Sequence, residues 1–289
     1  MPDTPVLRFA PSPNGFLHLG HAYSALLTDK WAKDMGGKWL LRIEDTDPER
    51  SRPQFVTAIY QDLKWLGLSW PEPVLVQSSR FDIYKAAAEK LRDMGLLYPC
   101  FCSRKDIRAN AVNQAGQANQ TDPDGAPLYP GTCKALSQDE IQQNISEGMP
   151  VQYRLDMDKA FAKTGPLTFT RIGPSPMDRP QITYAQPMRW GDVVIQRKDT
   201  PTSYHLAVVV DDAFQNITHV TRGRDMQAGT DIHIMLQFLL GLPAPLYTFH
   251  KLILDDEGKK LAKSSQSTCL NTLRKAGATP KDIRARLGF

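Results

Sequence analysis

Hydrophobic and polar residues follow an order along the first third of the chain that predicts strands and helices in turn. The apolar run 6–10 predicts a buried strand, and apolar positions at helical spacing over 17–35 predict a helix. A second strand, over 38–47, ends in acidic residues, and amphipathic patterns over 53–68 and 80–95 predict two more helices. This order is typical of a parallel α/β sheet.

The alternation stops between about Leu97 and Thr200. Short strands, clustered cysteines and the polar stretch 109–127 predict an inserted subdomain with a flexible loop. The almost continuously apolar run 204–212 then predicts a central strand buried on both faces, and residues 230–241 predict a helix. We therefore expect an α/β fold, a Rossmann-like parallel sheet split by an α+β insertion and followed by a short helical tail. The expected segments are 1–96, 97–200, 201–248 and 249–289.

The composition favours a soluble, cytoplasmic protein without a membrane partner. The chain has 289 residues, 41% of them hydrophobic, which is enough for a substantial core. Its start has no signal-peptide pattern, and its longest aliphatic stretch, 206–210, is too short to span a bilayer. The net charge is +4, and residues 251–289 hold nine Lys/Arg and four Asp/Glu, which give +5 there and −1 elsewhere. That basic end fits either a phosphate-bearing partner or a solvated helical surface.

Three of the four cysteines are clustered in the insertion. Cys100 and Cys102 are close enough in sequence to bind one ion, and Tyr129 and Cys133 follow across the polar stretch. Three thiolates and a phenolate can form a tetrahedral zinc site, and three buried free cysteines are the alternative. Cys269 stands apart, and we expect it to be a packing or surface residue.

The stretch 8–22 combines a stiff turn with two histidines at the start of a helix. Pro11 and Gly15 favour a tight turn after the strand, and Gly20 leaves space for a flat ring against the backbone. His18 and His21 share one helical face, where their N–H groups can donate to phosphate beside the positive end of the helix. A histidine at a helix end is otherwise a surface or packing residue.

Four further motifs, in order, accompany this turn. The segment 10–22, APSPNGFLHLGHA, resembles the first signature of class I aminoacyl-tRNA synthetases of the glutamyl/glutaminyl branch. The later similar segments are 41–47, 204–212, 220–226 and 259–265, LRIEDTD, YHLAVVVDD, VTRGRDM and KKLAKSS. The resemblance spans essentially the whole chain and implies activation of an amino acid with ATP and Mg²⁺. It implies these ATP-binding residues: Pro11, Gly15, His18, Gly20, His21 and Lys263.

The resemblance also implies a catalytic set of His18, His21, Lys260 and Lys263. Donors from the two motifs would stabilise charge on the α-phosphorus and the departing pyrophosphate, with the Ser264 hydroxyl beside the lysines. The lysine motif departs from the family pattern at Leu261 and Ala262, but both lysines remain. Taken alone, the motif also fits an ordinary basic hairpin loop.

Glutamate ends in a carboxylate, which a planar guanidinium binds well. The resemblance implies these glutamate-binding residues: Arg8, Ser12, Glu44, Tyr204 and Arg222. Glu44 would accept from the α-ammonium group, and Tyr204 would line the pocket. Ser12 favours glutamate over glutamine, whereas Asn14 is shared with the glutaminyl pattern. Either arginine taken singly also fits a structural salt bridge.

The resemblance further implies one structural zinc ion, bound by Cys100, Cys102, Tyr129 and Cys133 in an acceptor-type insertion. Because the sequence ends soon after the lysine motif, it implies a truncated member of the family without an anticodon-binding domain. We expect such a member to transfer L-glutamate to the queuosine base in the anticodon loop of tRNA(Asp), with no obligate protein partner. The alternatives are a conventional catalytic core that charges a tRNA 3′ end and a non-catalytic binding protein.

Overall fold

The computed structural model describes residues 4–113, 121–254 and 269–289. The strands are β1 Val6–Phe9, β2 Lys38–Ile43, β3 Leu75–Val76, β4 Leu97–Cys100, β5 Gln152–Leu155, β6 Thr168–Arg171, β7 Gln181–Tyr184, β8 Val194–Gln196, β9 His219–Gly223 and β10 Leu246–His250. The helices are α1 Leu19–Asp34, α2 Pro53–Trp65, α3 Phe81–Asp93, α4 Arg104–Asn113, α5 Gln138–Ser146, α6 Met157–Thr164, α7 Tyr204–Phe214, α8 Thr230–Leu240, α9 Leu270–Lys275 and α10 Pro280–Leu287.

A largely parallel arrangement of strands forms the centre of the fold, as the sequence predicts. One group has the order β1-β2-β3 and the other the order β7-β6-β10-β9, in which only β7 is antiparallel. Thr218, just before β9, joins the two groups, because its N–H donates to the Val6 carbonyl at 2.9 Å and its Oγ1 accepts from the Val6 N–H at 2.8 Å. The strands therefore lie side by side in the order β3-β2-β1-β9-β10-β6-β7.

Helix α1 crosses from β1 to β2 and packs one apolar face on them. Leu19, Leu26 and Trp31 are buried in this core, and Gly36 ends the helix region with a φ of 63° that favours glycine. The Thr28 hydroxyl lies 2.6 Å from that of Thr221 on β9. This contact ties the middle of α1 to β9, and the N-terminus of the helix lies at the carboxyl ends of the central strands, where parallel α/β folds bind their ligands.

The predicted strand at 204–212 is wrong: these residues belong to helix α7. Leu206, Val208 and Val209 are all buried, so the segment shows no polar face and its periodicity resembles that of a buried strand. At its end, the fully buried Asp211 accepts hydrogen bonds from Arg80 and from the Tyr84 hydroxyl. These bonds fix α7 against α3.

The middle of the chain contributes to two sheets. Strands β4, β5 and β8 form a separate antiparallel sheet, whereas β6 and β7 extend the central arrangement beside β10. The beginning of the polar stretch, predicted as loop, is helical through Asn113, the end of α4. In the parts of the chain that the structure describes, no helix is long and apolar enough to cross a membrane.

Candidate active site

A cavity of about 540 Å³ opens where the carboxyl ends of β1, β2, β9 and β10 meet the N-terminus of α1. Its wall brings together most of the residues singled out in the sequence. These are Arg8, Pro11, Ser12, His18, Gly20, His21, Glu44, Tyr204 and Arg222. Gly15 is not part of the wall. Lys260 and Lys263 lie outside the described residues.

His18 and His21 both cap helix α1. His18 is the N-cap residue, and its Nδ1 accepts from the Gly20 N–H at 3.1 Å, while His21 Nδ1 accepts from the His18 N–H at 3.2 Å. This is a capping box built from two imidazoles. Because each Nδ1 is an acceptor, the hydrogen of each neutral ring is on Nε2.

The glycine between the histidines makes this cap possible. A Cβ on Gly20 would lie 2.9 Å from Cε1 of the His18 ring, which is closer than van der Waals contact allows. The sequence suggested that Gly20 leaves space for a bound flat ring. In the structure, the imidazole of His18 occupies the space beside Gly20.

The turn that precedes α1 is fastened to the end of β2. The Pro11 carbonyl accepts from the Glu44 N–H at 3.1 Å, and the Pro13 carbonyl accepts from the Arg52 N–H at 3.1 Å. Both bonds use backbone atoms, so the turn and the acidic end of β2 form one side of the cavity. Ser12 and Glu44 are held there together.

A buried charge network lies below that side. Asp212 Oδ1 accepts from Arg8 Nε at 3.2 Å and from Arg42 Nη1 at 2.8 Å, and Arg42 Nη2 lies 3.3 Å from Glu44 Oε1. Burial alone would raise the pKa of Asp212, but the charges of Arg8 and Arg42 outweigh it and hold the pKa below its ordinary value. The single negative charge of Asp212 is therefore shared by two guanidinium groups.

At Glu44, burial and the neighbouring positive charges act on the pKa with a different outcome than at Asp212. Burial raises the pKa of its carboxyl group, and the charges of Arg42 and Arg8 oppose that rise without cancelling it. A further positive group beside Glu44, such as a ligand ammonium, would stabilise the ionised carboxylate.

Arg222 is also buried, but its neighbours are neutral. Its guanidinium donates to the Thr230 hydroxyl and lies 3.2 Å from His233 Nδ1 through Nη1. Tyr247 and Phe249 pack against it, with ring centroids 5.2 and 5.7 Å from Cζ. In the described ranges no carboxylate forms an ion pair with Arg222.

Tyr204 lines the cavity together with Arg222. It is the first residue of α7, and its ring centroid lies 5.5 Å from those of both His205 and His233. Burial raises the pKa of its hydroxyl, so Tyr204 is a neutral hydrogen-bonding group at the pocket.

A second ion-pair network lies at the rim of the cavity and joins the insertion to the loop after β2. Asp47 Oδ2 lies 2.7 Å from Arg50 Nη2 and 3.3 Å from Arg197 Nη1, and Arg197 also pairs with Asp199 at 2.6 Å. Arg50, Asp47 and Arg197 all line the cavity. Nothing in the sequence motifs indicated that Arg197, just after β8, would meet Asp47.

Described residues on both sides of 255–268 reach this region. Ile253 lines the cavity, and Cys269 forms a β-bridge with His18, next to the hydrogen bond from the Leu270 N–H to the Leu17 carbonyl at 2.8 Å. The predicted lysine motif thus belongs to a segment whose two described ends are at the cavity and at the histidine-capped helix.

The cysteine cluster forms a separate group in the insertion. The sulfurs of Cys100, Cys102 and Cys133 all lie within 4.8 Å of one another, with 3.4 Å between those of Cys102 and Cys133. The Tyr129 hydroxyl oxygen lies 3.4 Å from the Cys100 sulfur and 3.7 Å from that of Cys102. Hydrogen bonding from the Cys133 thiol lowers the pKa of Cys100, which favours its thiolate.

Two basic residues of the C-terminal tail are used within the fold. Arg274 Nη1 lies 3.2 Å from Asp62 Oδ1, and Arg284 Nη2 donates to the Leu66 carbonyl at 2.8 Å. Both contacts fasten the tail to α2 and its end. Part of the tail's positive charge therefore serves packing.

The family described as tRNA synthetases class I (E and Q), catalytic domain, matches residues 6–288. Together with the parallel fold and the ligand cavity at its strand ends, this match defines the class of protein: the chain belongs to that family. A protein of Rhodobacter capsulatus called glutamyl-Q tRNA(Asp) synthetase is 45% identical over 98% of this chain and 100% of its own length. A glutamate–tRNA ligase of Prochlorococcus marinus is 36% identical over 94% of this chain and 55% of its own.

A crystal structure of the glutamate–tRNA synthetase of Elizabethkingia anophelis has a similar fold. It aligns with a TM-score of 0.72 and 28% identity over 95% of this chain and 54% of that one. The chain thus spans about half the length of the solved synthetase, but the full length of the Rhodobacter relative.

Proposed function

We propose that this chain activates L-glutamate with ATP and transfers the glutamyl group to the queuosine base in the anticodon loop of tRNA(Asp). The observation that carries the activation step is one cavity that holds both a histidine-capped helix N-terminus and a buried arginine that has no carboxylate partner among the described residues. The transfer step rests on the name of the Rhodobacter relative, which aligns over its whole length. The proposed location is the cytoplasm, where ATP and tRNA are both present.

In the activation step, a glutamate α-carboxylate oxygen attacks the α-phosphorus of ATP. The bond from that phosphorus to the bridging oxygen breaks, and pyrophosphate leaves with the electron pair. The N-terminus of α1 supplies a positive electrostatic end, and His18 and His21 supply Nε2–H groups for the phosphates. Because the cap uses Nδ1, neither ring needs to become charged to donate.

Lys260 and Lys263 complete this step in the proposal. Their ammonium groups would neutralise charge on the transferring phosphoryl group and the leaving pyrophosphate. The support is that Ile253 and Cys269, which flank the segment, lie at the cavity and at His18 respectively. ATP would bind as its Mg²⁺ complex. Pro11 and Gly20 line the side of the cavity where we place the nucleotide.

The glutamate binds on the opposite side of the cavity. Arg222 and Arg8 face its carboxylates, Glu44 accepts from its ammonium group, and Tyr204 and Ser12 line the remaining wall. An ammonium beside Glu44 stabilises the ionised form of a carboxylate whose pKa burial raises.

In the transfer step, a hydroxyl of the queuosine cyclopentene diol attacks the carbonyl carbon of the glutamyl-adenylate. An ester forms, the bond from the carbonyl carbon to the phosphate oxygen breaks, AMP leaves, and the hydroxyl proton is released. The diol resembles the vicinal hydroxyls of a terminal ribose. Basic residues of the insertion and tail would contact the RNA backbone, so binding should weaken as the salt concentration rises.

We also propose that the cysteine cluster binds one structural zinc ion. A tetrahedral zinc ion with bonds of about 2.3 Å to sulfur and about 2.0 Å to oxygen separates its ligand atoms by about 3.5–3.8 Å. The 3.4 Å between the Cys102 and Cys133 sulfurs, and the 3.4 and 3.7 Å from the Tyr129 oxygen to the Cys100 and Cys102 sulfurs, are close to this range. Bound zinc would tie the end of β4 to the segment around Tyr129 and Cys133, where few other side chains are buried.

The test of the proposed function compares acceptor RNAs. We expect labelled glutamate, with ATP, to attach to tRNA(Asp) that contains queuosine and not to the same tRNA with unmodified guanosine. tRNA(Glu) is the matched control for conventional charging, which the similarity to glutamate–tRNA ligases makes the second candidate. Labelling of tRNA(Glu) at its 3′ end, with none on queuosine-containing tRNA(Asp), would contradict the proposal.

A further inference from the structure

The surroundings of Arg222 differ from those of two other buried arginines, Arg8 and Arg42. Arg8 and Arg42 share the Asp212 carboxylate, and Arg42 also pairs with Glu44. Arg222 is only 6% exposed, yet its polar partners among the described residues are the Thr230 hydroxyl and His233. A buried guanidinium is ordinarily paired with a carboxylate because an uncompensated buried charge is costly.

The direction of each hydrogen bond in this group is fixed by chemistry. A guanidinium can only donate, so His233 Nδ1 must accept from Arg222 Nη1 across their 3.2 Å separation. The hydrogen of the His233 ring is then on Nε2, which lies 3.2 Å from His205 Nδ1 and donates to it. The order of donation is therefore Arg222 to His233 to His205.

Both histidines are neutral in this arrangement. Burial, followed by the positive charge of Arg222, lowers the pKa of His205 to about 4 and lowers that of His233 well below its ordinary value. Arg8 also acts on His233, and the neutral ring of Tyr204 packs against both imidazoles. The pair thus supplies hydrogen-bonding atoms without supplying negative charge.

The charges of the buried arginines and carboxylates around the amino-acid site show which net charge the ligand must have to neutralise them. Arg8, Arg42 and Arg222 contribute +3, and Asp212 and Glu44 contribute −2, so the group carries a net +1. Glutamate, with two carboxylates and one ammonium, carries −1, and glutamine carries 0. Glutamate therefore neutralises the group, whereas glutamine leaves a buried positive charge.

We propose that His233, oriented by His205, is a positioning residue that holds Arg222 with a neutral acceptor and so reserves its charge for a carboxylate of the amino acid. This inference rests on the proposed function and adds to it a source of preference for glutamate over glutamine. His233 acts through Arg222 and contacts no reacting atom.

The test is a pair of isosteric variants that differ only in charge. His233→Asn places an amide oxygen near the position of Nδ1, and His233→Asp places a carboxylate there. We measure glutamate-dependent ATP–pyrophosphate exchange with the full chain at varied glutamate, glutamine and ATP. We expect His233→Asn to raise the KM for glutamate by less than about 5-fold and His233→Asp to raise it by about 30-fold or more, with the KM for ATP unchanged in both.

The carboxylate of His233→Asp should also remove most of the preference for glutamate over glutamine, while thermal unfolding shows the variant to be folded. His219, on the same strand as Arg222 but outside the cavity wall, provides the matched controls. His219→Asn and His219→Asp should leave the KM for glutamate unchanged.

Equal KM values for glutamate in His233→Asn and His233→Asp would overturn the positioning role while leaving glutamate activation intact. Absence of exchange in the unmodified chain would instead overturn the proposed function, together with this inference. If neither variant folds, nitrogen-15 NMR of histidine-labelled unmodified chain at neutral pH decides. A neutral His233 with its hydrogen on Nε2 supports the inference, and an imidazolium or the other tautomer overturns it.

Discussion

His18 has two separable duties in this account, and one substitution separates them. As N-cap it accepts from the Gly20 N–H at 3.1 Å, and in the proposed function it donates to phosphate through Nε2–H. Asparagine is a good N-cap residue because its side-chain oxygen accepts from the first turn, but it offers no donor at the position of Nε2. His18→Asn should therefore retain the cap and lose the phosphate donor.

The expected magnitudes follow from these contacts. Loss of a donor to developing charge costs about 3–4 kcal/mol in a transition state, which is about a 10²- to 10³-fold decrease in the rate of activation. Loss of a helix cap costs about 1 kcal/mol of folding stability. His18→Asn should decrease the rate of activation by this factor and change the free energy of unfolding by less than about 0.5 kcal/mol. His18→Ala should decrease both the rate of activation and the free energy of unfolding.

Two assays on the same preparations check this separation. Denaturant unfolding gives the free energy of unfolding, and single-turnover formation of glutamyl-adenylate gives the rate of activation. An unchanged rate in His18→Asn would show that His18 is only a cap. An equally slow rate with a stability loss of several kcal/mol would show that the rate reflects damage to the fold.

Three other substitutions test other parts of the account. Burial raises the pKa of the Asp62 carboxyl group from 3.8 to about 6, so the folded state holds this proton more tightly than the unfolded chain does. The protonated carboxyl group therefore contributes its full stabilisation below pH 4, and this contribution is lost as the pH rises through 6. Asp62→Asn should therefore raise the free energy of unfolding at pH 8, by at most about 3 kcal/mol, and not at pH 4; the same gain at both pH values would contradict this. Asp212→Asn removes the carboxylate shared by Arg8 and Arg42 and should cost about 3–5 kcal/mol in denaturant unfolding, whereas a loss below 1 kcal/mol would contradict the network. Lys263→Ala should decrease kcat for ATP–pyrophosphate exchange by about 10²-fold, and an unchanged kcat would remove this lysine from the mechanism.

Two helices in the first half of the fold could be predicted because each carries one apolar face. Helices α2 and α3 show this pattern, and both lie where the sequence predicts them. Helix α7 could not be recognised in the same way, because its first residues form an almost unbroken apolar run that is buried on several sides. A strand and a helix that are both fully buried look alike in sequence.

The candidate site also has parts that the sequence indicates and parts that it does not. His18, His21 and Gly20 are local in sequence, so one motif indicates all three. The contacts of Arg8 with Asp212 join residues 204 positions apart, and no local pattern reveals them. The capping role of the histidines was also missed, because the motif indicated phosphate chemistry and N-caps are usually Ser, Thr, Asp or Asn.

The central claim is that ATP and glutamate react in the cavity between the histidine-capped helix and the buried arginines. A crystal structure of the chain with a non-hydrolysable glutamyl-adenylate analogue measures this directly. The account predicts the phosphate mimic within hydrogen-bonding distance of Nε2 of His18 or His21 and a glutamyl carboxylate on Arg222. An analogue bound outside this cavity, or bound in it with Arg222 facing no carboxylate, would contradict the claim.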